Sequence, residues 1–228
     1  MARYSQPKRS SRGSSGRSGA QSERSARAGA EPAARIVAEA RLPTRFGPFE
    51  IIGIEGAGEG ETAVALRHGK VGAKDAPLVR IHSQCLTGDV FGSERCDCRA
   101  QLEYSLRKIA RARSGLLLYL PQEGRGIGLL NKLRAYALQD QGMDTVEANE
   151  ELGFLADLRD YAFSAEALKI LGARRVRLLS NNPDKVQQLE AAGIEVVERV
   201  PCQPPTSRAS RGYLAAKKSK MGHLLSGL

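Results

Sequence analysis

The sequence predicts an α/β (α+β) fold, with a β-rich N-terminal half followed by a mixed sheet carrying crossover helices, built as one domain. Three observations carry this. Short strand-like runs separated by turn-rich stretches fill residues 36–82. From Arg99 onward, apolar residues at helical spacing alternate with apolar runs of strand length. Alternation at this size calls for strands joined by crossover helices, and no internal repeat points to a different architecture.

Taken in order, Ile36 to Arg41 and Phe49 to Gly53 read as strands, followed by Thr62 to Leu66 and Leu78 to His82. The run from Gly53 to Gly60, with four glycines, is the turn between the second and third. Leu102, Leu106 and Ile109 fall at i, i+4 and i+7 of one helix face. Gly115 to Leu120 is an apolar run of strand length. Helices are expected at 127–139 and 160–171, a strand from Val176 to Leu179, a helix at 184–192, and a last strand from Ile194 to Val197. Pro201 to Leu228 is rich in Pro, Ser and Lys and reads as irregular before a short final helix.

The chain has 228 residues and a net charge of +10. The first 35 residues hold eight Lys/Arg and eight Ser against Glu23 and Glu31, so +6 of that charge sits in an Arg/Ser-rich segment with few large apolar residues. Residues 1–35 therefore read as a disordered, solvated extension, and 36–228 as the folded domain. No apolar stretch approaches the roughly 18 residues of a membrane span, so no membrane partner is expected. Without the apolar core of a secretory signal at the start, the expected location is cytoplasmic, where cysteines serve as metal ligands, catalytic groups or buried thiols rather than bridges.

Cys85, Cys96 and Cys98 lie within fourteen positions, among Arg80, His82, Asp89, Glu94, Arg95 and Asp97. Three thiolates with no fourth nearby suit an open zinc site that keeps a position for water. Two other readings stand beside it: buried free thiols, or a four-ligand structural zinc completed by His82 or Cys202. The charged surroundings favour a wet cleft.

Strand 115–120 runs into Gln122-Glu123-Gly124-Arg125-Gly126-Ile127-Gly128 and then into a helix, which gathers backbone N–H groups where a phosphate can bind. An ordinary tight turn would look the same, but Arg125 and Lys132 add cationic donors. Tyr136, at i+7 from Leu129 and i+3 from Leu133, has by position the default role of a core aromatic. Asp157 reads as the N-cap of a helix with Asp160 three residues later. Ser180-Asn181-Asn182-Pro183 reads as a capped turn with Pro183 at the first helical position.

These segments resemble GTP cyclohydrolase II. The resemblance rests on Val79 to Asp89, Arg95-Cys96-Asp97-Cys98, Gln122 to Leu129, Arg134 to Gly142, Asn181-Asn182-Pro183 and Lys220 to Leu225, in order over 36–225. It implies a catalytic zinc on Cys85, Cys96 and Cys98, whose water attacks C8 of guanine and releases formate. It also implies release of pyrophosphate with Mg²⁺ on the triphosphate, Arg159 as the nucleophile and Asp157 as the proton acceptor. An arginine nucleophile is chemically unusual, since guanidinium stays protonated, and an electrostatic Arg159 fits equally well. Tyr136 becomes the tyrosine of the ring-opening step. Nucleotide contacts carry over to Arg80, Ile81, His82, Ser83, Gln84, Gln101, Glu123, Gly124, Arg125, Thr145, Ser180 and Lys185.

The product implied is 2,5-diamino-6-(5-phospho-D-ribosylamino)pyrimidin-4(3H)-one, the first intermediate of riboflavin biosynthesis, made by a homodimer. Three positions depart from the commonest pattern: Gln84 for Glu, Ser180 for Thr and Pro121 for Arg. The second removes nothing essential, while the first and third bear on GTP affinity. The butanone-phosphate synthase domain that often precedes this one is not expected, because 35 residues are too few to contain it. A paralogue that stops at a formylated intermediate is the nearest alternative, and the presence of Tyr136 argues against it. A nucleic-acid partner is expected only through the basic tail, since few aromatics are available for base stacking.

Overall fold

The structure is a computed structural model that describes residues 33–205 other than 73, 75 and 156, together with 213–215, 218–219 and 222–225. Most of the expected extension, residues 1–32, lies outside the described residues.

Strands β1 (Ala34–Thr44), β2 (Gly47–Gly56) and β3 (Thr62–His68) form an antiparallel meander. Both hairpin strands run longer than their apolar residues suggest, because most of β1 is exposed and its ladder is made by backbone groups that carry no sequence signal. The remaining strands are β4 (Leu78–Ser83), β5 (Gly115–Leu120), β6 (Arg175–Leu179) and β7 (Glu195–Val200). All seven form one mixed sheet in the order β1-β2-β3-β5-β4-β6-β7. β3 meets β5 antiparallel, whereas β5, β4, β6 and β7 are mutually parallel.

The parallel strands are linked through helices α1 (Cys98–Ala110), α2 (Leu129–Asp140), α3 (Thr145–Glu151), α4 (Ala162–Ile170) and α5 (Pro183–Ala191). Alternate residues of β4 and β5 feed two cores, as the pleat requires. Val79, Ile81, Leu116, Leu118 and Leu120 join Leu168, Val176 and Leu178 on one face. Leu78 and Leu117 join Leu106, Ile109 and Cys202 on the other. Each of the fully buried aliphatic side chains among them contributes about 1.5–3 kcal/mol of transfer free energy.

Three expectations change. Asp157 does not cap a helix: α4 begins at Ala162, whose N–H donates to Asp160 Oδ1 at 2.7 Å. Tyr136 is not a core aromatic. Helix α2 buries only Ala135 and leaves Leu130 and Leu133 exposed, so its apolar spacing marks no core face. Helix α3 is not among the expected elements, since seven residues offer too little periodicity; its local signal is the capping box of Asp144 with Glu147. Near the C-terminus, residues 213–215 and 218–219 are helical, in line with the expected short helix. No helix among the described residues is long and apolar enough to cross a membrane.

Candidate active site

β4 lies between β5 and β6, so the crossovers that leave β4 and return to β6 pass on opposite sides of it. That reversal opens a crevice beyond the carboxyl ends of the strands, the usual ligand position in such sheets. Chain leaving β4 carries Gln84 and Cys85, chain leaving β5 carries Gln122 to Gly128, and chain leaving β6 carries Ser180 to Asn182.

After β4 the backbone makes a π-helical turn at Leu86–Val90, and α1 begins at Cys98. This brings Cys85 Sγ to 3.6 Å from Cys96 Sγ, and all three sulfurs lie within 4.8 Å of one another. Thiolates on a tetrahedral zinc at about 2.3 Å stand about 3.8 Å apart, so the donor set fits that metal. No fourth His, Cys, Asp or Glu joins the cluster among the described residues. The two candidates for closing it are engaged elsewhere. Cys202 is buried in the core with its sulfur 3.6 Å from Ser105 Oγ. His82 donates from Nε2 to Asp89, stacks on Tyr119 and is 2% exposed.

The Asp89 carboxylate also accepts from Tyr119 Oη at 2.9 Å and from Cys85 N at 3.0 Å, which fixes the first cysteine's backbone. Burial holds His82 below its usual pKa and therefore neutral, against the pull of Asp89. Within the cluster, hydrogen bonds from Cys96 and Cys98, helped by Lys132, drive Cys85 far down. The same pairing with Cys85 pushes Cys96 up to about 11, and Cys98 is also raised. Cys85 is thus the most acidic of three coupled thiols, whose protons a metal would displace.

The glycine loop turns through a 3₁₀ segment, Glu123–Gly126, with φ of +61° at both Gly124 and Arg125. Arg125 is the one non-glycine residue with positive φ among the described residues, and strain of this kind concentrates at functional sites. Its carbonyl accepts from Leu158 N at 3.1 Å, which ties the loop to the segment carrying Asp157 and Arg159. The Glu123 carboxylate turns toward the cysteines, accepting from Leu86 N at 2.6 Å and from Lys132 Nζ at 2.7 Å. Lys132 Nζ also donates to Cys85 Sγ at 3.1 Å. One turn further along α2, Tyr136 brings its hydroxyl to 3.2 Å from Thr87 Oγ1, with Arg95 4.8 Å from its ring centroid.

On another wall, Arg159 grips Asp157 with Nε 2.8 Å from Oδ1 and Nη2 on Oδ2, while Nη1 is 3.4 Å from Ser83 Oγ. Burial opposes both charges, but the pairing wins: Asp157 stays below the usual carboxylate range and Arg159 is held more firmly protonated. Lys185 is 4% exposed and donates to the Ile81 carbonyl at 3.0 Å. Burial, then Arg80 and Arg159, depress its pKa strongly. Arg80 donates to the Leu179 carbonyl at 3.0 Å and to Gln101 Oε1 at 2.5 Å.

These groups line one open cavity of about 1110 Å³, its solvent mouth included. Of the site residues expected from the sequence, Arg80, His82, Ser83, Gln84, Gln101, Glu123, Gly124, Arg125, Tyr136, Thr145, Arg159, Ser180, Lys185 and the three cysteines reach it. Two do not: Ile81 is fully buried, offering only its carbonyl to Lys185, and Asp157 stands behind Arg159. Arg95, expected only as part of the cysteines' surroundings, and Asn149, Tyr213 and His223, not expected at the site, stand on the same walls. Asn149 repeats Thr145 one turn later on α3 and is 4% exposed, and seeing it depended on recognising that helix. Tyr213 and His223 come from the C-terminal segment, where Lys220 to Leu225 was the available signal.

The family model described as GTP cyclohydrolase II matches residues 34–201. The chain belongs to the GTP cyclohydrolase II family. Among curated relatives, the riboflavin biosynthesis protein RibBA of Bacillus cytotoxicus is 56% identical over 187 residues, covering 82% of this chain and 47% of that protein. RibBA of Bacillus cereus is 55% identical over 188 residues with the same coverage. The chain thus spans about half the length of these relatives. A solved two-domain 3,4-dihydroxy-2-butanone 4-phosphate synthase from A. baumannii overlaps 66% of this chain and 35% of its own at 19% identity, with a TM-score of 0.35, too loose to bear on this fold. All three elements of the crevice fall inside the span matched as GTP cyclohydrolase II, whereas Tyr213 and His223 lie beyond it.

Proposed function

We propose that this chain hydrolyses GTP, opening the guanine imidazole ring and releasing formate and pyrophosphate to give 2,5-diamino-6-(5-phospho-D-ribosylamino)pyrimidin-4(3H)-one, the first step of riboflavin biosynthesis. The observation that carries the reading is the open three-cysteine cluster in the same cavity as the Tyr136 hydroxyl, the Arg125 and Arg159 cations and the Lys185 amine. A small cluster for metal and ring chemistry beside a cationic wall for a polyphosphate suits a nucleoside triphosphate. Cys85, Cys96 and Cys98 would hold zinc. When bound, zinc supplies Lewis acidity that makes water a nucleophile near neutral pH.

The chain's own groups divide the remaining work. Tyr136, anchored by Thr87, orients a proton or water at the purine end. Arg159 and Lys185 stabilise charge on the phosphates, with Mg²⁺ travelling on the triphosphate. Support for an electrostatic rather than nucleophilic Arg159 comes from its pairing with Asp157, which favours the protonated guanidinium. Asp157 then acts through Arg159, whose guanidinium it orients; the proton-acceptor role belongs to the nucleophilic alternative, in which Arg159 gives up a proton.

Backbone groups near Arg80 to Gln84, with Gln101, Glu123 to Arg125, Thr145 and Ser180, complete the nucleotide contacts in this reading. The remaining parts of the proposal are a homodimer, a cytoplasmic location, and a catalytic unit at 36–228 preceded by the basic extension. Purified protein incubated with GTP, Mg²⁺ and Zn²⁺ should yield formate, pyrophosphate and the pyrimidine in equal amounts. A formylated product would identify the partial reaction instead, and the Tyr136 hydroxyl weighs against that outcome.

A further inference from the structure

Lys132 enters the sequence reading as a cation for phosphate, and the structure turns it elsewhere. Its ammonium lies between Cys85 Sγ, 3.1 Å away, and Glu123 Oε1, 2.7 Å away. Its side chain is 12% exposed and that of Glu123 is 8% exposed. The Glu123 carboxylate holds the other end of the arrangement, since its Oε2 accepts from the N–H of Leu86, the residue after Cys85. Lys132 and Glu123 therefore grip Cys85 twice, at the sulfur and at the backbone that follows it.

We infer that Lys132 is a positioning and charge-compensating residue for the metal held by Cys85, Cys96 and Cys98, and that it is not a phosphate ligand. The inference rests on the reading of that cluster as a zinc site. Three thiolates around a divalent ion leave one negative charge in a partly buried place, and the Lys132 ammonium is the cation that faces it. Its N–H also draws electron density from the Cys85 sulfur. A sulfur that donates less leaves the metal a better Lewis acid, the usual effect of a hydrogen bond to a metal ligand. Glu123 makes the arrangement directional, because its carboxylate holds the ammonium against Cys85.

The test uses the full chain with Lys132→Met, Lys132→Arg, and the double variant Glu123→Gln/Lys132→Met, which does not strand the Glu123 carboxylate should the single variant fail to fold. Zinc affinity is measured by competition with a chromophoric chelator, and the thiolate-to-cobalt charge-transfer band is recorded after Co²⁺ substitution. Lys132→Met and the double variant should bind zinc about 10- to 100-fold more weakly. Their cobalt band should move to lower energy, because a thiolate without its hydrogen bond gives up an electron more readily. Lys132→Arg should retain most of the affinity and the parent band. Affinity for inorganic tripolyphosphate should stay within about twofold of the parent in folded Lys132→Met and Lys132→Arg.

Unchanged zinc affinity and cobalt spectrum in Lys132→Met overturn the inference while leaving the zinc reading intact. Loss of tripolyphosphate binding with an unchanged metal site does the same, and restores Lys132 as a phosphate cation. A parent chain that takes up neither Zn²⁺ nor Co²⁺ overturns both.

Discussion

Gly88 packs so closely on Cys96 that a Cβ at this position would sit 3.0 Å from the Cys96 sulfur, 3.1 Å from the Cys85 sulfur and 3.2 Å from Cys98 Cβ. The three thiols converge because the turn between them carries no side chain at its centre. Gly88→Ala should therefore push the sulfurs apart and weaken zinc binding about tenfold or more, with the fold kept, because one open site need not hold together a domain with two cores. Zinc content per chain after dialysis, read beside the thermal midpoint, checks this. Full zinc content in the variant would show that the turn yields.

The Tyr136 hydroxyl contacts Thr87, a residue of the cysteine turn, while Arg159 and Lys185 sit on another wall. Tyr136→Phe should keep pyrophosphate release and lose most formate release, a fall of about 10²–10⁴-fold if the phenol acts in proton transfer. Parallel assays for the two products decide it. An unchanged formate rate would return Tyr136 to a packing role.

Arg159→Ala should abolish pyrophosphate release, a loss of about 10²-fold or more. The substitution also removes the charge that holds Asp157 low, leaving burial to push its carboxyl up. Because the paired Asp157 is depressed in the folded parent, its contribution to stability is present above the ordinary carboxylate pKa and is lost as the solution is acidified through the depressed value. Acid unfolding of the variant should lack that component. Accumulation of a ring-opened triphosphate would show that the two chemical steps are independent, whereas loss of both products would order them.

Arg125 holds φ of +61°, a conformation that costs a non-glycine residue about 1–2 kcal/mol. Arg125→Gly should relieve that strain and leave the protein as stable as the parent or slightly more so. KM for GTP should rise at least tenfold, since a cation is lost from the phosphate wall. Denaturant midpoints and initial rates separate the two effects. A destabilised variant with normal KM would contradict the assignment.

Lys185 lies well below its usual pKa because burial, Arg80 and Arg159 disfavour its charge. An arriving triphosphate favours the ammonium, so binding should take up a proton and affinity should fall as pH rises. Calorimetry of a non-hydrolysable GTP analogue in two buffers of different ionisation enthalpy measures the uptake. In the free protein, stability should climb as pH rises from the depressed value towards about 10.4, because over that window the unfolded chain binds the extra proton. Lys185→Met should flatten this climb and raise Tm at neutral pH while weakening the analogue's binding. A lower Tm in the variant would mean that the bond to the Ile81 carbonyl outweighs the burial cost.

What could be read in the sequence was local. The apolar run at β5, the helical spacing of Leu102, Leu106 and Ile109, and Pro183 after Asn182 each produce their element through neighbours a few residues away. The exposed strand β1 runs beyond its apolar residues for the opposite reason, since its partner groups are the backbone of β2. Asp at the spacing of Asp157 caps many helices, yet this carboxylate pairs with a guanidinium two residues on and the helix starts later.

The residue types of the site, three cysteines, a tyrosine and a set of cations, are properties of the sequence alone, as is the family resemblance that ordered them. Which cation serves which anion was decided by the tertiary structure. Lys132 is 47 residues from Cys85 in the chain and 3.1 Å from its sulfur, because the crossovers beside β4 bring the ends of β4 and β5 together. Ion pairing depends on distance and on exclusion of water, and neither is set until the sheet order is.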